Sequence, residues 1–192
     1  GLEELNRIID VTDPSVIIFD ADCADKFDRK RAQLISANGT HKRADDHIDD
    51  MLDRYKGAHP QTYQASPDDL QAIKFTSGST GMPKGVMQSY RVFNSCIASM
   101  LVSFEFDAAD RHLLGAPMTH GANTLIMPIF AVGGTQLFTH DSRPAGIIEA
   151  IETLRATTVY VPPTLLYMML AEDRLDQANC SSLRHLIIGG AA

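Results

Sequence analysis

Between Phe75 and Val86 the chain gathers small hydroxylated residues, glycines and a lysine: Phe75-Thr76-Ser77-Gly78-Ser79-Thr80-Gly81-Met82-Pro83-Lys84-Gly85-Val86. Gly78 and Gly81 let the backbone turn sharply and bring N–H groups close to an anion. Thr76, Ser77, Ser79 and Thr80 add hydroxyl donors, and Lys84 supplies a mobile positive charge. Many neutral donors beside one cation are what a polyphosphate needs. Composition alone equally allows a flexible Ser/Gly linker. Position favours the phosphate reading, because the segment sits tightly between a strand pattern and the next apolar element. It is not a Walker A loop, since Pro83 precedes the lysine and Gly85 follows it. No GxGxxG and no GxSxG is present, which argues against a dinucleotide fold and a serine hydrolase.

Other reactive side chains carry weaker signals. His120, between Thr119 and Gly121, reads by itself as a structural histidine. His47 lies among Asp45, Asp46, Asp49 and Asp50, and acids alternating along a short helix read as a solvated face, leaving a metal unknown. Met118, Met127, Met168 and Met169 fit core or an apolar pocket wall equally well. Cys96 lies mid-helix and reads as a small core residue.

The elements that must hold these residues follow a regular alternation from Leu70 onwards. Short apolar runs (72–75, 112–116, 135–138, 157–161 and 185–188) alternate with helical periods over 90–104, 122–132, 144–155 and 164–172. Strand alternating with helix predicts βαβ units and a largely parallel sheet with flanking helices, an α/β class. Before that, Leu2, Leu5, Ile8 and Ile9 predict a short helix ended by Asp13-Pro14. Val16–Phe19 reads as a strand buried on both faces. A charged helix is predicted over 22–30 and a strand over 33–37. A helix over 45–55 is predicted with Ile48, Met51, Leu52 and Tyr55 inward, then a surface connection over 56–69.

The 192 residues suffice for one ordinary domain. Their net charge of −7 argues against binding nucleic acid by phosphate neutralisation. Three separated cysteines without CxxC spacing fit a reduced, cytoplasmic setting. No apolar stretch is long enough to span a bilayer. The chain starts at Gly1 and stops at Ala192, directly after a Gly-Gly pair that reads as a loop start. Truncation at both ends is therefore expected.

The 76–86 segment resembles the signature loop of the adenylate-forming (AMP-binding) superfamily, which includes acyl-CoA synthetases, peptide-synthetase adenylation domains and beetle luciferases. Pro117-Met118-Thr119-His120-Gly121 resembles the family's second core motif. Val161-Pro162-Pro163-Thr164 resembles the turn before the acyl-site helix. Leu186-Ile187-Ile188-Gly189-Gly190-Ala191 resembles the strand and loop bordering adenine and acyl group. The resemblance covers residues 70–192 by motif and 1–69 only in layout, which implies part of the family's large N-terminal domain.

That resemblance implies a ligase that uses ATP with Mg2+ to convert a small carboxylic acid, acyl or aryl, into an acyl-adenylate, and then coenzyme A to form a thioester. Fatty acid metabolism is one setting it implies. Thr76, Ser77, Gly78, Ser79, Thr80, Gly81 and Lys84 would hold the ATP phosphates. His120 would line or gate the acid pocket, and Gly189, Gly190 and Ala191 would form an adenine and acyl wall. Leu125, Ile126, Met127 and Phe130 would supply apolar pocket surface. The later motifs and the small C-terminal domain with its catalytic lysine are expected beyond Ala192, so the fragment alone would be inactive. Gln88-Ser89-Tyr90 departs from relatives that carry a His there. The alternatives are an amino-acid adenylation domain and a non-catalytic nucleotide- or partner-binding module; oligomeric state is open.

Overall fold

In the computed structural model, which describes residues 2–28, 31–76, 84–118 and 121–190, the spacing of Leu2, Leu5, Ile8 and Ile9 forms helix α1 (Leu2–Thr12). Two units are resolved, Gly1–Tyr90 and Arg91–Ala192. In the first, β1 (Val16–Phe19), β2 (Gln33–Ser36) and β3 (Asp46–His47) form a parallel sheet in that order. Ile9, Phe19, Ala24, Phe27 and Leu34 make its core. Phe19 and Phe27 meet edge to face at 5.4 Å, and the Arg43 guanidinium lies 5.1 Å over the Phe27 ring while donating to the Ala24 and Phe27 carbonyls.

Several expectations for this unit need correction. Val16–Phe19 is not buried on both faces, for Val16 is 43% and Ile18 61% exposed. β1 is an edge strand, and Ile17 and Phe19 alone turn toward the core. The charged helix is a shorter 3-10 turn, Ala21–Lys26, started by Asp20 accepting from the Asp22 N–H. Helix α2 (Ile48–Arg54) begins later than expected because Asp46–His47 pairs with β2. None of its residues is buried; Arg54 instead ties it back to Asp46 at 2.7 Å, an ion pair that holds the Asp46 carboxyl below its ordinary pKa.

The largest departure is β5 (Lys84–Ser89), a strand the alternation did not predict, which pairs antiparallel with β4 (Leu70–Thr76) as a hairpin within an expected largely parallel fold. Antiparallel neighbours need only a short connection, and residues 77–83 supply one.

The second unit matches the βαβ expectation. Helix α3 (Tyr90–Phe104) leads to β6 (Arg111–Leu114), a 3-10 turn (Gly121–Leu125), α4 (Ile126–Ala131) and β7 (Thr135–Phe138). Then come α5 (Pro144–Thr153), β8 (Thr158–Val161), α6 (Pro163–Leu170), a 3-10 turn (Asp173–Gln177) and β9 (His185–Ile188). Proline opens both α5 and α6, where its missing N–H costs nothing. The strands form one parallel sheet in the order β7-β6-β8-β9. Leu113, Leu137, Val159 and Val161 face α5 and α6, whereas Leu114 and Tyr160 face the 121–125 turn and α4. Cys96 is exposed rather than a core residue, because α3 has no fully buried position. Met169 is buried, while Met118, Met127 and Met168 are exposed. Among the described residues no helix is long and apolar enough to cross a membrane.

Asp110 fixes the amino-terminal end of this sheet. Its carboxylate is fully buried and accepts from the Asp107 N–H at 2.9 Å, Thr157 Oγ1 at 2.7 Å and the Arg184 guanidinium at 3.4 Å. Its backbone carbonyl accepts from the Thr135 N–H. One residue thereby links the starts of β6, β7, β8 and β9.

Candidate active site

In the first unit the hairpin ends on the pair Thr76↔Lys84, so both ends of the 77–83 connection stand side by side. Ser77, Gly78, Ser79, Thr80 and Gly81 lie outside the described residues. Thr76 and Lys84 are exposed, and Lys84 makes no ion pair among the described residues. Its ammonium, exposed beside Thr76, can meet an anion. Gly85 packs against Phe75 and Ile73: a Cβ there would approach the Ile73 side chain to 2.9 Å. Its lack of a side chain lets the two strands close behind Lys84.

The second unit builds a crevice. The chain leaving β6 runs through 121–125 and α4 on one face of the sheet, whereas the chain leaving the adjacent strand β8 enters α6 on the other. Connections that part to opposite faces leave a gap at the carboxyl ends of the strands, where open α/β sheets bind ligands. Tyr160, near the end of β8, stands there. It clusters with Phe106, Leu114, Ala122, Leu125 and Ile129 and is only 9% exposed.

Three glycines crowd its phenol. A Cβ on Gly121 would overlap the Cζ and hydroxyl of Tyr160, and one on Gly189 or Gly190 would lie 3.1 or 3.0 Å from its hydroxyl oxygen. Gly190 also has φ +82°, a conformation that side chains resist. Among the described residues the Tyr160 hydroxyl has no hydrogen-bond partner. The structure therefore brings Gly121, Gly189 and Gly190 around one phenol, that of Tyr160. His120 and Ala191 lie outside the described residues. Of the apolar pocket residues, Leu125 is corrected to core at 1% exposed, because the 121–125 turn folds it under α4; Met127 and Phe130 stay exposed, at 44% and 54%. Sequence reasoning missed Tyr160, which reads as one more apolar position in Thr157–Val161.

Beside the crevice, after β7, Arg143 holds Asp141 through both carboxylate oxygens, lowering its pKa to about 2. A shallow depression lined by Arg111, Leu154, Arg155, Thr157 and Ser182 opens at the opposite, amino-terminal end. Arg111 Nε there donates to the Leu154 carbonyl at the end of α5, as cations do at helix C-termini.

A family model described as AMP-binding enzyme matches residues 1–192. The chain belongs to the AMP-binding enzyme family. A feruloyl-CoA synthase from Amycolatopsis sp. is 34% identical over 126 residues, covering 65% of this chain and 26% of that protein. An indoleacetate–CoA ligase from Aromatoleum aromaticum is 32% identical over 141 residues, covering 72% of this chain and 28% of its own. The chain thus spans about a quarter of these curated relatives. The amide bond synthetase McbA from Marinactinospora thermotolerans superposes with TM-score 0.82 at 25% identity, over 99% of this chain and 38% of that one. The N-terminal domain of FACL13 from Mycobacterium tuberculosis superposes with TM-score 0.80 at 26% identity, over 100% and 48%. The AMP-binding enzyme N-terminal fold, α/β with parallel sheets and flanking helices, is therefore the fold of this chain.

Proposed function

We propose that this chain is the part of a carboxylate-activating ligase that binds ATP phosphates and acid, within a longer N-terminal domain whose lysine-bearing small domain lies outside it. The acid's carboxylate oxygen attacks the α-phosphorus of ATP, and the bond to the β-phosphate oxygen breaks, giving acyl-adenylate and pyrophosphate. The sulfur of coenzyme A then attacks the acyl carbon, AMP leaves, and the thiol proton passes to solvent. The observation that carries this reading is the convergence of Gly121, Gly189 and Gly190 on Tyr160 in the crevice at the carboxyl ends of the strands.

On this reading Thr76, Ser77, Gly78, Ser79, Thr80, Gly81 and Lys84 hold the β- and γ-phosphates and neutralise charge as pyrophosphate departs. His120 gates the acid, and Gly189, Gly190 and Ala191 let adenine and acyl group lie against bare backbone. Tyr160 floors the acid pocket, its apolar surround suiting an acyl or aryl acid; the names of the feruloyl and indoleacetate relatives favour aryl. Magnesium would enter with ATP. We assign the protein to the cytoplasm. The amino-acid alternative draws on 33% identity to the nonribosomal peptide synthetase atnA of Emericella nidulans.

Isothermal titration of the full-length protein with a non-hydrolysable aryl-adenylate analogue tests the site. Tyr160→Ala is expected to weaken binding about tenfold to a hundredfold, as for an aromatic pocket contact. Lys84→Ala should leave that affinity nearly unchanged, because the analogue has no β- or γ-phosphate, while weakening ATP binding. Equal loss in both variants, or none in either, contradicts the division of roles.

A further inference from the structure

The register of the second sheet lines up a buried polar row. Gln136 of β7 is paired with His112 of β6, His112 with Thr158 of β8, and Thr158 with His185 of β9. Paired neighbours project to one face, here the face covered by α4 and the 121–125 turn, since Leu114, Tyr160 and Ile187, two residues on, pack there. His112 and Thr158 are fully buried.

His112 Nδ1 lies 2.7 Å from Gln136 Oε1, and Gln136 Nε2 donates to the Ile126 carbonyl at the start of α4. With the amide nitrogen committed to that carbonyl, Oε1 is the acceptor, so His112 carries a proton on Nδ1. Among the described residues its Nε2 is buried with no partner, and so is Nε2 of His185, whose ring sits edge-on to Phe104 and Phe106.

A second proton on His112 would create a donor and a full charge where, among the described residues, no acceptor stands. α4, the 121–125 turn and β7 carry no ionisable side chain, and α3 packs this layer with Met100, Leu101 and Phe104. Tyr160 is the one ionisable residue of β8. The acids lie on the row's amino-terminal side and are engaged there: Asp110 by Thr157, Thr158 and Arg184, and Asp107 by Arg184 at 3.0 Å and by the charge of His185, with Glu105 also near that guanidinium. Arg111 points to the other face.

We propose that this row is an acid-sensitive latch: protonation of His112 releases α4 from the sheet and loosens the crevice wall at Gly121 and Gly189–Gly190. The release reaches the crevice because Gln136 joins His112 to α4, and because β9 runs straight into Gly189. Burial, only partly offset by Gln136, holds the His112 pKa below the ordinary value. The unfolded chain therefore binds a proton below about pH 6.5 that the folded chain refuses. Stability is full above that pH and falls as pH drops toward the folded pKa, by about tenfold in the folding constant per pH unit.

Urea unfolding from about pH 8 to about pH 5 reads that slope. The wild type is expected to lose about tenfold per unit more than His112→Gln. Equal slopes overturn the latch. Imidazole NMR of the wild type, with amide exchange of α4 and Gly190, needs no variant. The latch predicts a neutral Nδ1–H tautomer for His112 that persists until the protection of α4 and Gly190 collapses together. An His112 ring that titrates near pH 6.5, with those amides still protected, overturns it.

Discussion

Gly121→Ala is expected to cost about 1–3 kcal/mol, an overpacking penalty, although it adds a single methyl group in a short turn. The methyl would overlap the Tyr160 phenol at Cζ and its hydroxyl. That phenol has little room to move, since Gly189 and Gly190 also approach its hydroxyl and Leu125 and Ile129 hold the ring within the core. The turn must therefore lift away from the ring. A double-mutant cycle reads the cause directly. In a Tyr160→Ala background the same Gly121→Ala change should cost close to nothing, because the space it needs has been vacated. Additive losses in urea denaturation would mean that Gly121 is required for its backbone conformation, and the packing account of the crevice would fail.

Asp110→Ala is expected to cost about 2–4 kcal/mol, because it leaves two hydrogen-bond donors without their acceptor at about 1–3 kcal/mol each, whereas Arg184 is 42% exposed and is not left as a buried charge. That is a large share of the roughly 5–15 kcal/mol that stabilises a typical domain. The substitution strands the Asp107 N–H and the Thr157 hydroxyl, both of which point at the lost carboxylate. It also removes one partner of Arg184, which keeps Asp107. Asp110→Asn keeps an acceptor oxygen and should cost less. Chemical denaturation at neutral pH measures both, and a loss below about 1 kcal/mol for Asp110→Ala would place this network among weak surface pairs.

Neither of these two sites was legible in the sequence, although several of the elements that hold them were. Thr135–Phe138, His185–Ile188 and Tyr90–Phe104 form as expected, because apolar periodicity and flanking turn residues agree there. The phosphate-type loop stood out by side-chain chemistry at consecutive positions, a local signal. β5 did not, since Lys84–Ser89 was read as the end of a motif, and its mostly exposed residues lack the alternation of a half-buried strand. Tyr160 was hidden for the opposite reason: in Thr-Val-Tyr-Val a tyrosine looks like strand core, and its contact with three glycines is made 29 or more residues away along the chain. Asp110 and His112 were equally silent, because a buried polar residue announces itself only through partners that folding brings near. Val16–Phe19 shows the limit of apolar runs. Four apolar residues predict a strand, but exposure depends on where in the sheet the strand falls.

The central claim is that this chain belongs to a machine that joins a carboxylate to AMP. Acid-dependent exchange of labelled pyrophosphate into ATP, by the full-length protein against a panel of aryl, acyl and amino acids, tests it most directly. The account predicts exchange with aryl or acyl acids and a loss of about a hundredfold or more in Lys84→Ala, as when a charge-stabilising donor is removed. No exchange with any acid, from a folded protein that still binds ATP, would contradict it and leave a nucleotide-binding module without ligase chemistry.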